Sequence, residues 1–114
     1  MSVKLTTRQV GDVTVVDAEG RITLGDGATT FRDTVRDLGN AGNKKLLLNL
    51  AEVSYIDSSG IGEMVSGFTT ITNQGGQVKL LNLTKRVKDL LQITKLYTVF
   101  EVFDDEATAV RSYK

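Results

Sequence analysis

The chain contains no cysteine, no histidine and no proline. Without cysteine there are no disulfides, no thiolate nucleophile and no cysteine-bearing zinc site. Without histidine there is no imidazole general base, and a Ser-His-Asp hydrolase cannot be assembled from this chain alone. Charge of one sign is also lacking: 14 basic and 14 acidic residues leave a formal net charge of zero. No basic excess points to nucleic acid, and there is no acidic tail. No apolar run approaches the roughly 20 residues a membrane helix needs, and the opening "MSVKLTTRQVGD" lacks the apolar centre of a signal peptide. These absences, together with the missing cysteine, predict a cytoplasmic protein. The pattern offers no account of the missing proline. What is present is ordinary for a globular domain: 114 residues, 40% apolar and 25% charged. One domain, residues 1–114, is expected, with no linker, repeat or low-complexity segment.

Periodicity supplies the elements. "SVKLTTRQV" alternates and reads as a strand, Gly11-Asp12 as a tight turn, and "VTVVDAEG" as the returning strand of a hairpin. "RITLGDGATT" is glycine-rich and reads as irregular. Ala28, Phe31, Val35 and Leu38 then recur at helical spacing, predicting an amphipathic helix over 28–40 that "GNAGN" ends. "KKLLLNL" reads as a strand buried on both faces, with Tyr55 and Ile56 following after a brief loop. Met64, Val65, Phe68 and Ile71 mark a second helix, stopped by "NQGG". "QVKLLNL" is a strand, Thr84 caps a helix carrying Val87, Leu90 and Leu91, "YTVFEVF" reads as a last strand, and "DDEATAVRSYK" as a last helix. The order ββαβαβαβα predicts an α/β fold with a mixed sheet of four to five strands and about four helices, the inner strands parallel.

One stretch stands apart. "YIDSSGIG", residues 55–62, joins an apolar strand to a helix. Asp57 and Ser58 suit a helix N-cap, and a structural reading could end there. A cap needs one side chain, however, and three polar ones stand in a row. Gly60 and Gly62 fall in the first turn, where each costs about 0.5–1 kcal/mol relative to Ala. The turn also follows the carboxyl end of a central strand, the edge at which open α/β sheets usually bind ligands. A hydroxyl at a helix N-terminus has a further property. Phosphorylated, it places about two negative charges beside a positive dipole end, which the fold tolerates and an interface there does not. On these grounds Ser58 and Ser59 are equal candidates.

At this point the residues resemble a known family. "EGRI", "KKLLLNL", "VSYIDSSGIGEMV", "NQGGQVKLLNL" and "VKDLLQITKLYTVFEVF" together resemble the STAS-domain anti-sigma factor antagonists of bacteria over nearly the whole chain. The resemblance implies a STAS-type domain and a partner switch rather than an enzyme. Members bind an anti-sigma factor that is also a GHKL-type serine kinase, which frees a sigma factor for transcription. The kinase phosphorylates the serine after the motif aspartate, here Ser58, with Ser59 a minor candidate. A serine phosphatase restores binding. Asp57, Ser58, Ser59, Gly60, Ile61 and Gly62 would form the partner-binding turn, together with Thr23. No cofactor, metal, membrane or direct nucleic-acid contact is implied. The sequence departs from the family at Gly20-Arg21-Ile22-Thr23, where Thr23 stands in place of the usual aspartate.

Two other functions compete: a STAS scaffold subunit within a larger signalling assembly, and a nucleotide-binding STAS module. The second lacks any G-x-x-x-x-G-K-[ST] loop, and Gly25-Asp26-Gly27 is too short to serve as a phosphate cradle. Lys44-Lys45 and Lys85-Arg86 read as solvated basic pairs. Phe100, Phe103 and Tyr97 read as core or sheet cover. Arg32 and Arg36 fall on the polar face of the first helix, near the expected partner surface.

Overall fold

The computed structural model describes residues 3–113. The order is β1 (Val3–Val10), β2 (Val13–Ile22), α1 (Asp26–Asn40), β3 (Lys45–Ile56), α2 (Ser58–Asn73), β4 (Gln77–Leu81), α3 (Lys85–Ile93), β5 (Val102–Phe103) and α4 (Glu106–Arg111). This is the expected ββαβαβαβα sequence, on a five-stranded sheet ordered β1-β2-β3-β4-β5. β1 and β2 are antiparallel, and every later pairing is parallel. The hairpin therefore makes the sheet mixed, and each crossover helix makes its flanking strands parallel.

Alternation along the strands divides the core in two. Val16, Ala18 and Ile22 of β2 and Leu46, Leu48 and Leu50 of β3 face α1, α2 and α3, meeting Phe31, Val35, Ile61, Met64, Ile71, Val87 and Leu91. On the opposite face Val13, Val15, Leu47 and Leu81 meet Ala109 of α4, with Tyr113 alongside. "KKLLLNL" is thus buried on both faces, as read. The smaller layer is latched at its margins. Arg8 bonds both Asp17 and Glu106, and the Lys79 ammonium donates to the Ser112 carbonyl (3.1 Å) and hydroxyl (2.8 Å).

Four sequence expectations change. β3 does not break before Tyr55 but runs unbroken to Ile56. Its pairing with β2 slips twice, between Asp17 and Glu19 and between Gly20 and Arg21, each slip inserting one extra residue on β3. Each such bulge reverses the in-and-out alternation. Ala51 and Glu52 are therefore exposed, while Val53 and Ile56 return to the core. That broken period looked like a loop. "RITLGDGATT" is mostly regular: Arg21 and Ile22 end β2, and α1 starts at Asp26, two residues early. Gly27 explains the glycine there. A Cβ at that position would lie 2.5 Å from the Arg21 carbonyl oxygen, so only glycine lets α1 approach β2. The last strand shrinks from "YTVFEVF" to Val102–Phe103. The preceding residues form a turn in which Phe100 plugs the core edge-on to Phe68, with ring centroids 5.2 Å apart, while Tyr97 and Val99 stay exposed. Finally, Lys45 is less solvated than expected, because it pairs with Asp12 at 2.6 Å.

Candidate functional site

β2 and β3 lie side by side and end level, Ile22 pairing with Ile56. The two loops that follow therefore leave the sheet together, and one side chain ties them. Asp57 caps α2: its Oδ1 accepts from Gly60 N at 3.0 Å. Its Oδ2 accepts from Leu24 N, also at 3.0 Å, in the β2–α1 loop. The Asp57 N–H in turn donates to the Ile22 carbonyl at 3.4 Å. Gly60 presses on the same strand end. A Cβ on it would sit 2.2 Å from the Ile22 carbonyl oxygen and 2.7 Å from Ile56 Cγ1.

The cap role thus falls to Asp57 and leaves both serines uncommitted. Neither hydroxyl makes a hydrogen bond among the described residues. They differ in access: Ser58 is exposed and Ser59 half-buried. Gly60 and Ile61 face inward, so any part they take in a contact is indirect. Gly62 is the reverse case. It is exposed, and a Cβ there would meet nothing within 4 Å, so no packing inside the domain calls for glycine. Thr23 lies half-buried in the loop that Asp57 holds, its carbonyl accepting from Ala28 N at 2.9 Å.

Partial burial is the largest single influence on Asp57 and pushes its carboxyl upward. The N–H groups of Leu24, Gly60, Ser59 and Asp57 itself together outweigh it, and the net shift is downward. The residue is therefore an ionised rivet rather than a proton acceptor. Because its folded pKa lies below the unfolded one, its contribution is present in full above the ordinary aspartate value of about 4. It is lost as pH falls through the depressed value. Asp57→Ala is expected to cost about 1–2 kcal/mol at pH 7, the loss of a cap and a loop tether. Urea denaturation checks this, and the gap between the two proteins should shrink by pH 3.

Several residues beside Ser58 were not placed there by the sequence, Lys85 and Arg86, read only as a solvated basic pair, among them. An open groove of about 710 Å³ runs from Tyr55, Asp57 and Ser58 to Lys85, Arg86, Asp89, Leu90 and Ile93 of α3. Leu24 and Ile93 stand 80% and 76% exposed, apolar knobs at the β2–α1 loop and at the groove. Arg86 and Arg21 both lie over the Tyr55 ring, at 4.6 and 5.3 Å from its centroid. Signals existed for two of these. Leu24 is a lone apolar residue among turn formers, and Ile93 falls off the Val87–Leu91 stripe. The meeting of Arg21, Tyr55 and Arg86 joins three segments and left no sequence trace.

Among the described residues no group of three acidic, cysteine or histidine side chains could hold a metal ion, and no helix is long and apolar enough to cross a membrane. The fold and this edge define a small mixed α/β domain whose distinctive polar turn caps the helix after its central strand. Comparison with known proteins places it further. The STAS domain model matches residues 4–109, and the chain belongs to that family. The anti-sigma-B factor antagonist of Bacillus subtilis is 36% identical over 75 residues, which span 66% of this chain and 68% of that protein. A Thermotoga maritima protein provisionally assigned as an anti-sigma factor antagonist superposes with a TM-score of 0.88 at 25% identity, covering 96% of this chain and 93% of that one. The Bacillus cell fate determinant SpoIIAA in its phosphorylated form superposes with a TM-score of 0.74 at 17% identity, over 95% and 97% of the two chains, and at that identity shows the fold alone.

Proposed function

We propose that this chain is an anti-sigma factor antagonist working by partner switching, with Ser58 as the switch. The unmodified surface around Ser58 binds an anti-sigma factor with GHKL-type serine kinase activity, and a sigma factor is released. The kinase transfers the γ-phosphoryl group of ATP to Ser58 Oγ, which loses its proton, and ADP leaves. The phosphorylated form lets the kinase go, and a serine phosphatase hydrolyses the ester to renew binding. The protein acts as substrate and competitor, not as catalyst, in the cytoplasm.

One observation carries this reading: at the carboxyl end of β3 an exposed serine hydroxyl stands on a helix N-terminus, free of the cap bonds that Asp57 supplies. A phosphate there gains from the helix dipole without breaking a native bond. Gly62 supports the reading, since an exposed glycine with empty space around it suits close approach from outside. The names of the relatives point the same way. The test is incubation with ATP and an anti-sigma factor of the GHKL serine kinase type from the same organism, followed by mass-spectrometric mapping. Phosphate on Ser58 is expected, and its absence from Ser58 with the kinase active on itself or on another site would overturn the proposal.

A further inference from the structure

Arg86 and Arg21 are an unusual pair. Each guanidinium lies over the Tyr55 ring, and neither has a carboxylate partner among the described residues. Their two ring distances keep them within about 10 Å of each other, comparable with the screening length at moderate salt. Two like charges held that close gain from an anion placed between or before them. Tyr55 stands three residues before Ser58, and Ser58 and Arg86 line the same groove. Lys85 lines it too, tied among the described residues only to Asp89 four residues on, at 2.8 Å, in a pair so exposed that it holds weakly. The first turns of α2 and α3 both border the groove and add the positive ends of two helix dipoles.

We propose that the groove is the receptor for the chain's own phosphoserine: once Ser58 is phosphorylated, Arg86 leaves the Tyr55 ring and pairs with the phosphate, with Lys85 and Arg21 in support. The inference rests on the reading of Ser58 as the modified residue. It adds a second consequence to phosphorylation. The modification not only places charge at the interface but withdraws a guanidinium from the surface offered to the partner and from an aromatic ring over which Arg21 also lies. Arginine suits the task because its planar donors match phosphate oxygens in pairs.

The test uses the full chain with phosphoserine installed at position 58 by genetic code expansion, so that no kinase is required. The ³¹P resonance is followed against pH. A phosphoserine ordinarily loses its second proton near pH 6. Arg86, Arg21 and Lys85 favour the dianion, while Asp57 and Asp89 oppose it, and the aspartates are common to every variant. Arg86→Gln is expected to raise the second ionisation by about half a unit or more, a threefold change in the ratio of the two forms near pH 6. Arg21→Gln and Lys85→Gln should raise it less, and Arg86→Lys should restore part of the loss. Arg86 is exposed, so these variants should keep the wild-type circular dichroism. An ionisation unmoved by Arg86→Gln overturns the receptor. Failure of the kinase to modify Ser58 would instead remove the proposed function and leave this measurement standing.

Discussion

A Ser58→Asp variant is expected to bind the proposed partner kinase at least about 30-fold more weakly than the wild type, with an unchanged melting temperature. The two halves follow from the same geometry. Inside the domain the new carboxylate meets an exposed first-turn position with no bond to break, next to a favourable dipole. At an interface it becomes a charge that must be desolvated, beside Asp57, which is itself held ionised by backbone N–H groups. Such a charge typically costs 2–5 kcal/mol of affinity, and about 1.4 kcal/mol is tenfold. Ser58→Ala removes the acceptor oxygen and nothing else, so it should bind like wild type and resist modification. Isothermal titration with the kinase measures both. Equal affinity for wild type and Ser58→Asp would remove Ser58 from the switch.

The second large effect separates two glycines that look alike in sequence. Gly60→Ala is expected to lose about 3 kcal/mol, or roughly 10 °C in melting temperature. The added Cβ would stand 2.2 Å from the Ile22 carbonyl oxygen, 2.7 Å from Ile56 Cγ1 and 2.9 Å from Ile22 Cγ2. The nearest of these is backbone at the end of a central strand and cannot turn aside. α2 must back away, and the Asp57 bonds to Leu24 and Gly60 stretch with it. Better helix propensity returns at most about 1 kcal/mol. Gly62→Ala, two residues on, meets nothing within 4 Å and should be neutral or up to about 1 kcal/mol more stable. If the partner packs on that surface, its affinity falls nonetheless. Thermal melts and titrations of the two variants separate a glycine required by the fold from one required by recognition. Wild-type stability in Gly60→Ala would refute the packing argument.

Much of the scaffold could be read directly. The element order, the hairpin, the doubly buried β3 and the Thr84 cap, whose hydroxyl oxygen accepts from Val87 N at 3.3 Å, rest on local period and local hydrogen bonding. Short range is where sequence carries structural information, because neighbours in the chain are neighbours in space. The misreadings share one cause. The two bulges on β3 are set by its pairing with β2, a partner some thirty residues away, so a strand looked like a strand and a loop. Gly27 belongs to a close approach of α1 to β2, not to a loose turn. The strand expected in "YTVFEVF" yields to the burial of Phe100 against Phe68.

The site divides along the same line. The sequence by itself determined that a polar turn with an acceptor hydroxyl follows a central strand, and that histidine and cysteine chemistry is excluded, because composition and spacing are complete in one dimension. Only the tertiary structure decided what each residue of that turn does. It made Asp57 the rivet between two loops, left Ser58 exposed and Ser59 half-buried, drove Gly60 into Ile22, left Gly62 facing open space, and brought Arg21 and Arg86 to one ring beside Ser58. Those roles depend on distances between segments that only the packed sheet and its helices bring together.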